Sequence, residues 1–429
     1  MMLQTTHISL FEIISSLSNA MDLINPALNN HHARVAYISY RMASALSKTE
    51  KEIDEIILAG SIHDIGAIRH KERLLTLEFE LTDGATHSEA GYLLLKEFEP
   101  LSDISRIVRH HHTPWDEGRG QSVNGEEVPF ASHILHFADR VSVLVGEQTQ
   151  VLNQVPFIVQ RMRKWSGSAF SPTCLEAFLR LADQEAFWFD TASSSPWIHL
   201  PDRLHRPLLR LEYEGFVELA RLLSKIIDYR SRFTATHSVG VASAAETMAR
   251  LSGMNGMECA GMRVAGYLHD LGKLSVPTEI LEKPGALTDV ERNIVKSHPY
   301  HTYQILSRIQ GLEIIREWAA YHHETLNGQG YPFRLGSDDL CLGSRIMAVA
   351  DVFTALREDR PYRAGMSKEE TLSILQHMAS RSLLDNRVVE LLVEEIDQID
   401  TLRMTSQSAQ SQGFEVFWEI MGKNAIFSS

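Results

Sequence analysis

Cysteine is scarce in this 429-residue chain, and the three cysteines that occur are isolated from one another. Cys174, Cys259 and Cys341 form no CxxC pair, so the sequence offers neither a disulfide framework nor the spacing of a cysteine-bound zinc site. This scarcity is typical of a reducing compartment. The N-terminus also lacks the basic region of a signal peptide and carries Glu12 inside its apolar stretch, which favours an amphipathic helix, so we expect a cytoplasmic protein.

Basic residues are outnumbered, and long apolar runs are missing. The chain has 41 lysines and arginines against 55 aspartates and glutamates, a formal net charge of −14. This balance argues against a nucleic-acid polymer as partner, because such a partner requires a basic surface. A small anionic ligand stays compatible with it, since a local metal ion or arginine cluster can outweigh the global charge. No run approaches the roughly 18 apolar residues of a membrane span, so we expect no membrane partner.

Alternating β-strand patterns are also lacking, whereas helical periodicity runs through most of the chain. In KEIDEIILAGSIHDIG, residues 51–66, the apolar positions recur at steps of three and four. Thr288 with Glu291, and Ser367 with Glu370, match the capping box that opens a helix. The sequence therefore predicts an all-α fold.

The clearest boundary lies at residues 190–207, DTASSSPWIHLPDRLHRP, which combine a serine run with three prolines. A long helix in LEYEGFVELARLLSKIIDYR is expected to follow it. A polar break at 405–413 precedes an apolar segment that docks on either domain or in a dimer. We therefore predict two tandem helical domains, 1–190 and 211–400, joined by a linker, 191–210, and followed by a C-terminal tail, 401–429.

Histidine and aspartate recur in the second half in a pattern that suits metal binding. Imidazole nitrogen and carboxylate oxygen fit first-row metals such as iron or manganese, and no cysteine joins them, which argues against structural zinc. The set is too large for one tetrahedral ion and suits two ions that share a carboxylate. Each residue taken alone has an ordinary alternative, such as capping a helix, or, for Asp351, pairing with Arg345. The seven positions are His237, His269, Asp270, His298, His322, His323 and Asp351.

The same skeleton occurs in the first half. Its positions precede those of the second half by 206 residues at first and by 211 or 212 later, and the two copies together use ten of the 20 histidines. Surface histidines placed at random do not repeat in this way, so the pattern indicates a duplicated helical metal-site domain. The first copy comprises His31, His63, Asp64, His87, His111, His112 and Asp139.

The second half resembles the HD-GYP family of bacterial phosphodiesterases, within the HD superfamily of metal-dependent phosphohydrolases. The likeness is carried by HDLGK at 269–273, by HHETLNGQGYP at 322–332 and by RIMAVADVFTALREDRPYR at 345–363. Two positions depart from the family pattern, because Asn327 and Thr354 stand where aspartates are usual. These departures bear on the choice of substrate more than on the chemistry.

This resemblance implies two tandem HD-type bundles and a site for two iron or manganese ions in the second. Asp270 would bridge the ions, with His237, His269 and Asp351 completing one shell and His298, His322 and His323 the other. Some family members hold a third metal through a glutamate one turn before the first histidine. Here that position is Phe233, which cannot ligate, so two ions are expected.

The resemblance also implies a substrate, either cyclic di-GMP or 3′,3′-cyclic GMP-AMP, hydrolysed to a linear dinucleotide in second-messenger signalling. A hydroxide bridging the two ions would be the nucleophile, since a metal-bound water ionises near neutral pH. Lys273 would neutralise the phosphate or assist the leaving oxygen, Tyr331 would cover the substrate, and Arg360 and Arg363 would hold the second phosphate. For the two arginines, the alternative is that they are solvent-exposed charges at a helix end. For the function, the alternatives are a receptor that binds a cyclic dinucleotide without cleaving it and a phosphohydrolase that acts on mononucleotides.

The first half keeps every ligand position but loses the other parts of the pattern. Ala67 replaces Lys273, HHTPWDEGRG replaces the Gly-Tyr-Pro segment, and no Arg-Pro-Tyr-Arg follows Asp139. The favoured interpretation is a metal-binding regulatory domain without catalysis. A second active site and an empty structural copy stay open, as does a homodimer.

Overall fold

A computed structural model describes residues 8–22, 29–67, 84–146, 149–205, 210–211, 213–231, 234–359 and 364–422. Within these ranges the chain forms twenty α-helices and four strands of two residues each, which confirms the all-α prediction. The chain divides into two compact units. The first unit is Ser9–Leu209, and the second is Arg210–Ser429 together with Met1–Ile8.

The first unit is a helical bundle with one small hairpin. Strand β2 (Ser122–Val123) pairs antiparallel with β3 (Glu126–Glu127). Strand β1 (Ile8–Ser9) contains the chain position at which the two units divide. The helices are α1 (Leu10–Asp22), α2 (His31–Ala45), α3 (Glu50–Ile62), α4 (Gly84–Leu95), α5 (Ser102–Arg109), α6 (Phe130–Leu144), α7 (Val151–Lys164), α8 (Pro172–Ala182) and α9 (Glu185–Thr191).

The second unit repeats this arrangement and adds helices at its end. Strand β4 is Arg210–Leu211, and the predicted long helix is observed as α10 (Tyr213–Asp228). The others are α11 (His237–Leu251), α12 (Gly256–Leu268), α13 (Thr278–Leu281), α14 (Asp289–Lys296), α15 (His298–Leu306), α16 (Glu313–Ala320), α17 (Leu342–Arg357), α18 (Lys368–Ser380), α19 (Asn386–Glu394) and α20 (Ile396–Ile420).

Capping boxes start four of these helices. The two predicted boxes are present, with Thr288 capping α14 and Ser367 capping α18. Two further boxes start α3, at Thr49, and α12, at Asn255. Each box pairs a side-chain acceptor with the third helical residue and so satisfies backbone donors that would otherwise have no partner. The helices that end at the two His-Asp pairs are therefore fixed at their opposite ends.

One close helix crossing occurs at the same place in both units. In the first unit α3 meets α2, and a Cβ added to Gly60 would lie 3.1 Å from Cα of Ala36. In the second unit α12 meets α11, and a Cβ at Gly266 would lie only 2.4 Å from Cα of Ala242. Because glycine has no Cβ, the two backbones can approach this closely. The crossing brings the histidine at the start of one helix to the histidine at the end of the other.

The C-terminal segment differs from the expected polar break. Helix α20 runs without interruption through residues 405–413 and packs against α11 of its own unit. Its buried face includes Arg403, Gln410 and Phe417, so polar side chains take part in the packing that the sequence pattern assigned to apolar ones. Phe417 lies against Tyr229, with ring centroids 5.4 Å apart.

The predicted linker also packs on a bundle. A short 3₁₀ helix, Pro196–His199, lies in the first unit, where Trp197 Nε1 donates to Asn19 Oδ1 at 3.0 Å. None of the helices in the described ranges is both long and apolar enough to cross a membrane.

Candidate metal centres

The His-Asp pair of the second unit lies immediately after α12. The Nδ1 atom of His269 contacts the carbonyl of Gly266 at 2.8 Å, which turns Nε2 toward the interior of the bundle. There Nε2 lies 3.3 Å from Oδ2 of Asp270. His237, the first residue of α11, reaches the same carboxylate, with its Nε2 3.8 Å from Oδ2 of Asp270. The end of one helix and the start of its neighbour thus form one group of ligand atoms.

Asp270 stands between this group and a second one. Its Oδ1 lies 3.2 Å from Nε2 of His298, on the opposite side from the oxygen that faces His269. The ligand atoms of His237, His269 and Asp270 lie within 4.8 Å of one another, and so do those of His298, His322 and His323. A single carboxylate therefore presents one oxygen to each of two groups, an arrangement suited to two ions.

The adjacent histidines 322 and 323 follow the end of α16. Nδ1 of His322 contacts the carbonyl of Ala319 at 2.6 Å, and its Nε2 lies 3.1 Å from Nε2 of His298. Nδ1 of His323 lies 3.8 Å from Oδ2 of Asp351. Asp351 also reaches His237, with Oδ1 3.2 Å from Nε2. Leaving the helix lets two neighbouring side chains enter one cavity.

Electrostatics in the cluster favour the protonation states that bind metals. Burial would raise the pKa of Asp270, but the charges of His269 and Lys273 hold it well below its usual value. Burial lowers the pKa of His323 to about 3 and that of His322 well below its ordinary range. Metal ligation requires ionised carboxylates and neutral imidazoles. Asp270, His322 and His323 meet this requirement near neutral pH. His269 is an exception, because the charge of Asp270 raises its pKa against the effect of burial.

One observation tests whether a metal fits. Nε2 of His269 is buried and, among the described residues, has no hydrogen-bond partner. Leaving a buried polar atom unpaired is costly, and a bound cation would satisfy it. The alternative pairing of Asp351 with Arg345 is wrong, because Arg345 NH1 contacts Asp385 at 2.8 Å instead. The donor set is therefore suited to divalent ions.

Lys273 lies at the edge of the cluster. Its Nζ is 2.5 Å from Oδ2 of Asp270, and its side chain is 17% exposed. The remaining exposure leaves the ammonium accessible from outside while it contacts the innermost carboxylate. The cation is thus placed where an entering phosphate would meet the metal ligands.

The Gly-Tyr-Pro loop is folded onto the second unit's site by a buried carboxylate. Glu324 accepts hydrogen bonds from the backbone N–H groups of Phe333, at 2.6 Å, and Leu335, at 3.0 Å. A Cβ at Gly330 would lie 2.5 Å from Cα of Glu324, so only glycine permits this fold. The ring of Tyr331 consequently packs beside the ring of His323, with centroids 4.9 Å apart.

The two departures from the family pattern lie in different surroundings. Asn327 is exposed, and its Oδ1 accepts hydrogen bonds from Thr325 Oγ1 and from the backbone of Gln329 within the loop. Thr354 is completely buried. Three residues of the sequence argument, Phe233, Arg360 and Arg363, lie outside the described residues.

The first unit reproduces the geometry. Oδ2 of Asp64 lies 3.5 Å from His63 Nε2, and Oδ1 lies 3.3 Å from His87 Nε2. Oδ1 of Asp139 lies 3.4 Å from Nε2 of His31. His111 and His112 complete the second group, as their counterparts do in the second unit. All seven predicted positions thus meet in one cluster.

The first cluster also contains buried polar atoms without a hydrogen-bond partner among the described residues. Nε2 of His31, Nε2 of His63 and Oδ1 of Asp139 have none among the described residues. One cation is supplied by the protein itself, since Arg140 NH2 lies 2.6 Å from Oδ2 of Asp139. Ala67 is fully buried where the second unit has its lysine. The first unit therefore keeps the seven His and Asp positions, and its buried cation is Arg140 next to Asp139 instead of a lysine at position 67.

Two kinds of supporting residue were missed in the sequence. Glu358 contacts His237, with Oε2 2.8 Å from Nδ1. Asp228 accepts hydrogen bonds from the backbone and hydroxyl of Ser238, and burial raises its pKa to about 7. Asp22 is its counterpart in the first unit, 206 residues earlier, and bonds His32 at 2.5 Å. The repeat spacing would have revealed this aspartate pair.

Comparison with known proteins agrees with this architecture. Residues 204–388 match the HD domain family, and residues 29–144 match an HD domain as well. A crystal structure of a cyclic GMP-AMP specific phosphodiesterase from Vibrio cholerae, V-cGAP3, superposes with a TM-score of 0.62 at 22% identity. The match covers 91% of this chain and 98% of that one. The molecule is therefore a tandem HD-domain protein, as the resemblance implied.

Two curated relatives carry the likeness further. The chain is 32% identical over 408 residues to 3′3′-cGAMP-specific phosphodiesterase 1 of Vibrio cholerae, a match that covers 91% of this chain and 93% of the relative. A cyclic di-GMP phosphodiesterase response regulator of Xanthomonas campestris is 33% identical over 207 residues, 48% of this chain and 54% of that protein. The chain belongs to the family of HD-domain phosphodiesterases.

Proposed function

We propose that the second unit hydrolyses a bacterial cyclic dinucleotide to a linear dinucleotide with two divalent ions. The observation that supports this most directly is the position of Asp270, which offers one oxygen to each of two histidine groups. When bound, such ions supply a nucleophilic water at neutral pH and positive charge for the phosphoryl oxygens. The nitrogen and oxygen donors, without a cysteine, favour iron or manganese.

The protein's own residues would position the substrate. Lys273 would place its ammonium beside the phosphate, which offsets the negative charge that develops during hydrolysis. Tyr331 would cover the dinucleotide, because its loop is held over the ligands by Glu324. Residues 211–400 would form the catalytic domain, and the arginines at 360 and 363 remain predicted ligands of the second phosphate.

We propose 3′3′-cGAMP as the preferred substrate. Two relatives that match over most of the chain, both HD domains included, are named for this dinucleotide. Cyclic di-GMP is the second candidate, because the second half also resembles a phosphodiesterase named for it. The exposed Asn327 and the buried Thr354 give no contact on which to base this choice.

The first unit is proposed to bind metal and to support the second unit without catalysis. The support for this is the complete ligand cluster combined with the loss of the lysine and of the Gly-Tyr-Pro loop. A cytoplasmic location and a homodimer stay predictions.

The decisive experiment compares substrates on one preparation. Protein loaded with Mn²⁺ or Fe²⁺ is incubated with 3′3′-cGAMP, cyclic di-GMP or a deoxynucleoside triphosphate, and kcat/KM is measured for each. We expect 3′3′-cGAMP to be preferred by more than about tenfold, or about 1.4 kcal/mol. A ratio within about threefold, less than 1 kcal/mol, would mean that neither label is right. Binding without turnover would indicate a receptor, and turnover of the triphosphate a mononucleotide phosphohydrolase.

A variant tests the role of the site. Asp270→Ala removes the carboxylate shared by the two groups and should abolish turnover even with excess metal. Asp289→Ala, whose side chain is 95% exposed on α14, is the matched control and should leave turnover intact. Retained activity in the Asp270→Ala protein would refute the mechanism.

A further inference from the structure

His237 is held differently from His269, His298 and His322. Nδ1 of His269, His298 and His322 each meets a backbone carbonyl three residues earlier. Nδ1 of His237 instead meets the Oε2 atom of Glu358 at 2.8 Å, and that carboxylate is 9% exposed. A carboxylate on the far nitrogen orients a ligand histidine and increases the basicity of the nitrogen that binds metal.

Glu358 is in turn held by the C-terminal helix. It follows the last residue of α17, and its Oε1 accepts a hydrogen bond from Nε2 of Gln407 on α20. The same Nε2 atom donates to the carbonyl of Thr236 at 3.1 Å. Thr236 directly precedes His237. Gln407 therefore links the backbone before the ligand to the carboxylate on the ligand's ring.

The side-chain amide of Gln407 is enclosed by Gly240 of α11 and by Arg403. A Cβ added to Gly240, one turn into α11, would lie 2.5 Å from Nε2 of Gln407, so glycine leaves the space that the amide occupies. On its other side Arg403 contacts the Oε1 atom of Gln407. Asp400 on α20 binds Arg403 of the same helix at 2.6 Å and Arg357 of α17 at 2.8 Å. The contact with Arg357 joins α20 to the end of α17. The amide is thus constrained from both ends.

We propose that Gln407 and Glu358 are positioning residues, through which helix α20 holds His237 in the orientation that binds metal. Helix α20 lies entirely beyond residues 204–388, the segment that matches the HD domain. The inference deepens the proposed function and rests on its assignment of His237 as a metal ligand. Its consequence is that the metal site of the second unit extends beyond the matched domain.

The test measures metal affinity separately from catalysis. Full-length wild type, Glu358→Gln, Glu358→Ala and Gln407→Leu are loaded with Mn²⁺ and dialysed against a graded chelator, and the metal retained per chain is measured by elemental analysis. Gln412→Leu is the matched control, because it makes the same change at an exposed position of α20. Metal bound by the first unit contributes equally to every variant. Melting temperatures at saturating Mn²⁺ report folding.

We expect Glu358→Ala to weaken metal retention by about 10- to 100-fold, the range for loss of a partner behind a ligand. Glu358→Gln should fall between Glu358→Ala and wild type, since it keeps an acceptor but loses the charge. Gln407→Leu should weaken retention by roughly tenfold, and Gln412→Leu should not change it. At saturating Mn²⁺ the Gln407→Leu protein should recover kcat with an unchanged KM for the dinucleotide.

The inference is overturned if Glu358→Gln and Gln407→Leu retain Mn²⁺ like the wild type. It is also overturned if they lower the melting temperature without changing metal affinity, because that result describes packing alone. The metal measurement does not depend on turnover. If wild type cleaves neither dinucleotide, the proposed function fails while the retention series still decides the role of Gln407.

Discussion

The ammonium of Lys273 lies 2.5 Å from Oδ2 of Asp270, the same oxygen that faces His237 and His269. A positive charge therefore already adjoins the carboxylate that two ions would share. Its charge helps to hold the pKa of Asp270 well below the usual value. The lysine and one of the two metal ions would act on the same oxygen.

Lys273→Met tests whether this charge serves the reaction or the metal. Methionine preserves most of the side-chain length and removes the charge, so we expect kcat to fall by about 10²- to 10³-fold, as for loss of one preorganised charge partner. Metal content should be retained, because all seven proposed ligands remain. Lys368→Met, a change at a lysine that pairs with an exposed aspartate, is the control. Loss of metal together with kcat would instead assign the lysine to metal retention.

Glu324→Ala should affect substrate binding more than metal binding. The substitution leaves the N–H groups of Phe333 and Leu335 without their charged acceptor, and each such bond contributes about 1.5–3 kcal/mol. We expect kcat/KM to fall roughly 10- to 100-fold, mostly through KM, with metal content unchanged. Glu279→Ala, at an exposed position of α13, provides the control. An unchanged KM would show that the loop does not contact the dinucleotide.

His63→Ala combined with Asp64→Ala should remove metal from the first unit and leave the second unit loaded. Elemental analysis of the full chain should show fewer ions than wild type. Asp270→Ala should remove the other set, and the two losses should add because the clusters share no residue. Turnover in the first-unit variant should change by less than about threefold, below 1 kcal/mol. Metal content equal to wild type would contradict the first site.

His133 should make the first unit sensitive to acid. Burial lowers its pKa to about 4, while an unfolded histidine titrates near 6.5. As the pH falls, the unfolded chain binds a proton at this histidine before the folded chain does. The contribution of neutral, buried His133 to the free energy of unfolding is therefore fully present above pH 6.5 and is lost as the pH falls from 6.5 to about 4. The full loss is on the order of 3 kcal/mol.

A substitution isolates the effect of His133. His133→Phe places a ring that does not titrate beside Trp115, whose ring lies 5.1 Å from that of His133. Calorimetry in chelator should show that lowering the pH from 7 to 5 reduces the melting temperature less in the variant than in wild type. Equal pH dependence in the two proteins would exclude His133 as the cause.

The sequence predicted the ligand clusters because the repeat and the chemistry of histidine are both local in the chain. All fourteen positions meet in two clusters, and both predicted capping boxes are present. The residues that contact the proposed ligands from outside the cluster could not be predicted from the sequence. Glu358 is 121 residues from His237, and Gln407 lies in a polar stretch that resembles a break between elements. Such pairings depend on how helices pack, which no periodicity encodes.

Arg140 illustrates the same limit within the first unit. The sequence shows a lost lysine at Ala67, which suggests a site without a cation. In the structure the adjacent position to Asp139 supplies a buried guanidinium instead. Neighbouring residues on a helix ordinarily point apart, and only the length of the arginine side chain lets it fold back onto the carboxylate.

Gly66 and Gly272 occupy corresponding positions two residues after each ligand aspartate. A Cβ would lie 2.1 Å from the carbonyl oxygen of His87 in one unit and 1.9 Å from that of His298 in the other. The turn that carries each His-Asp pair therefore lies in main-chain contact with the first histidine of the second group, and this contact helps to set the separation between the two histidine groups. The first unit, which we propose to be inactive, keeps this glycine contact although it lacks the lysine and the Gly-Tyr-Pro loop, so the spacing of its histidine groups does not depend on either of them.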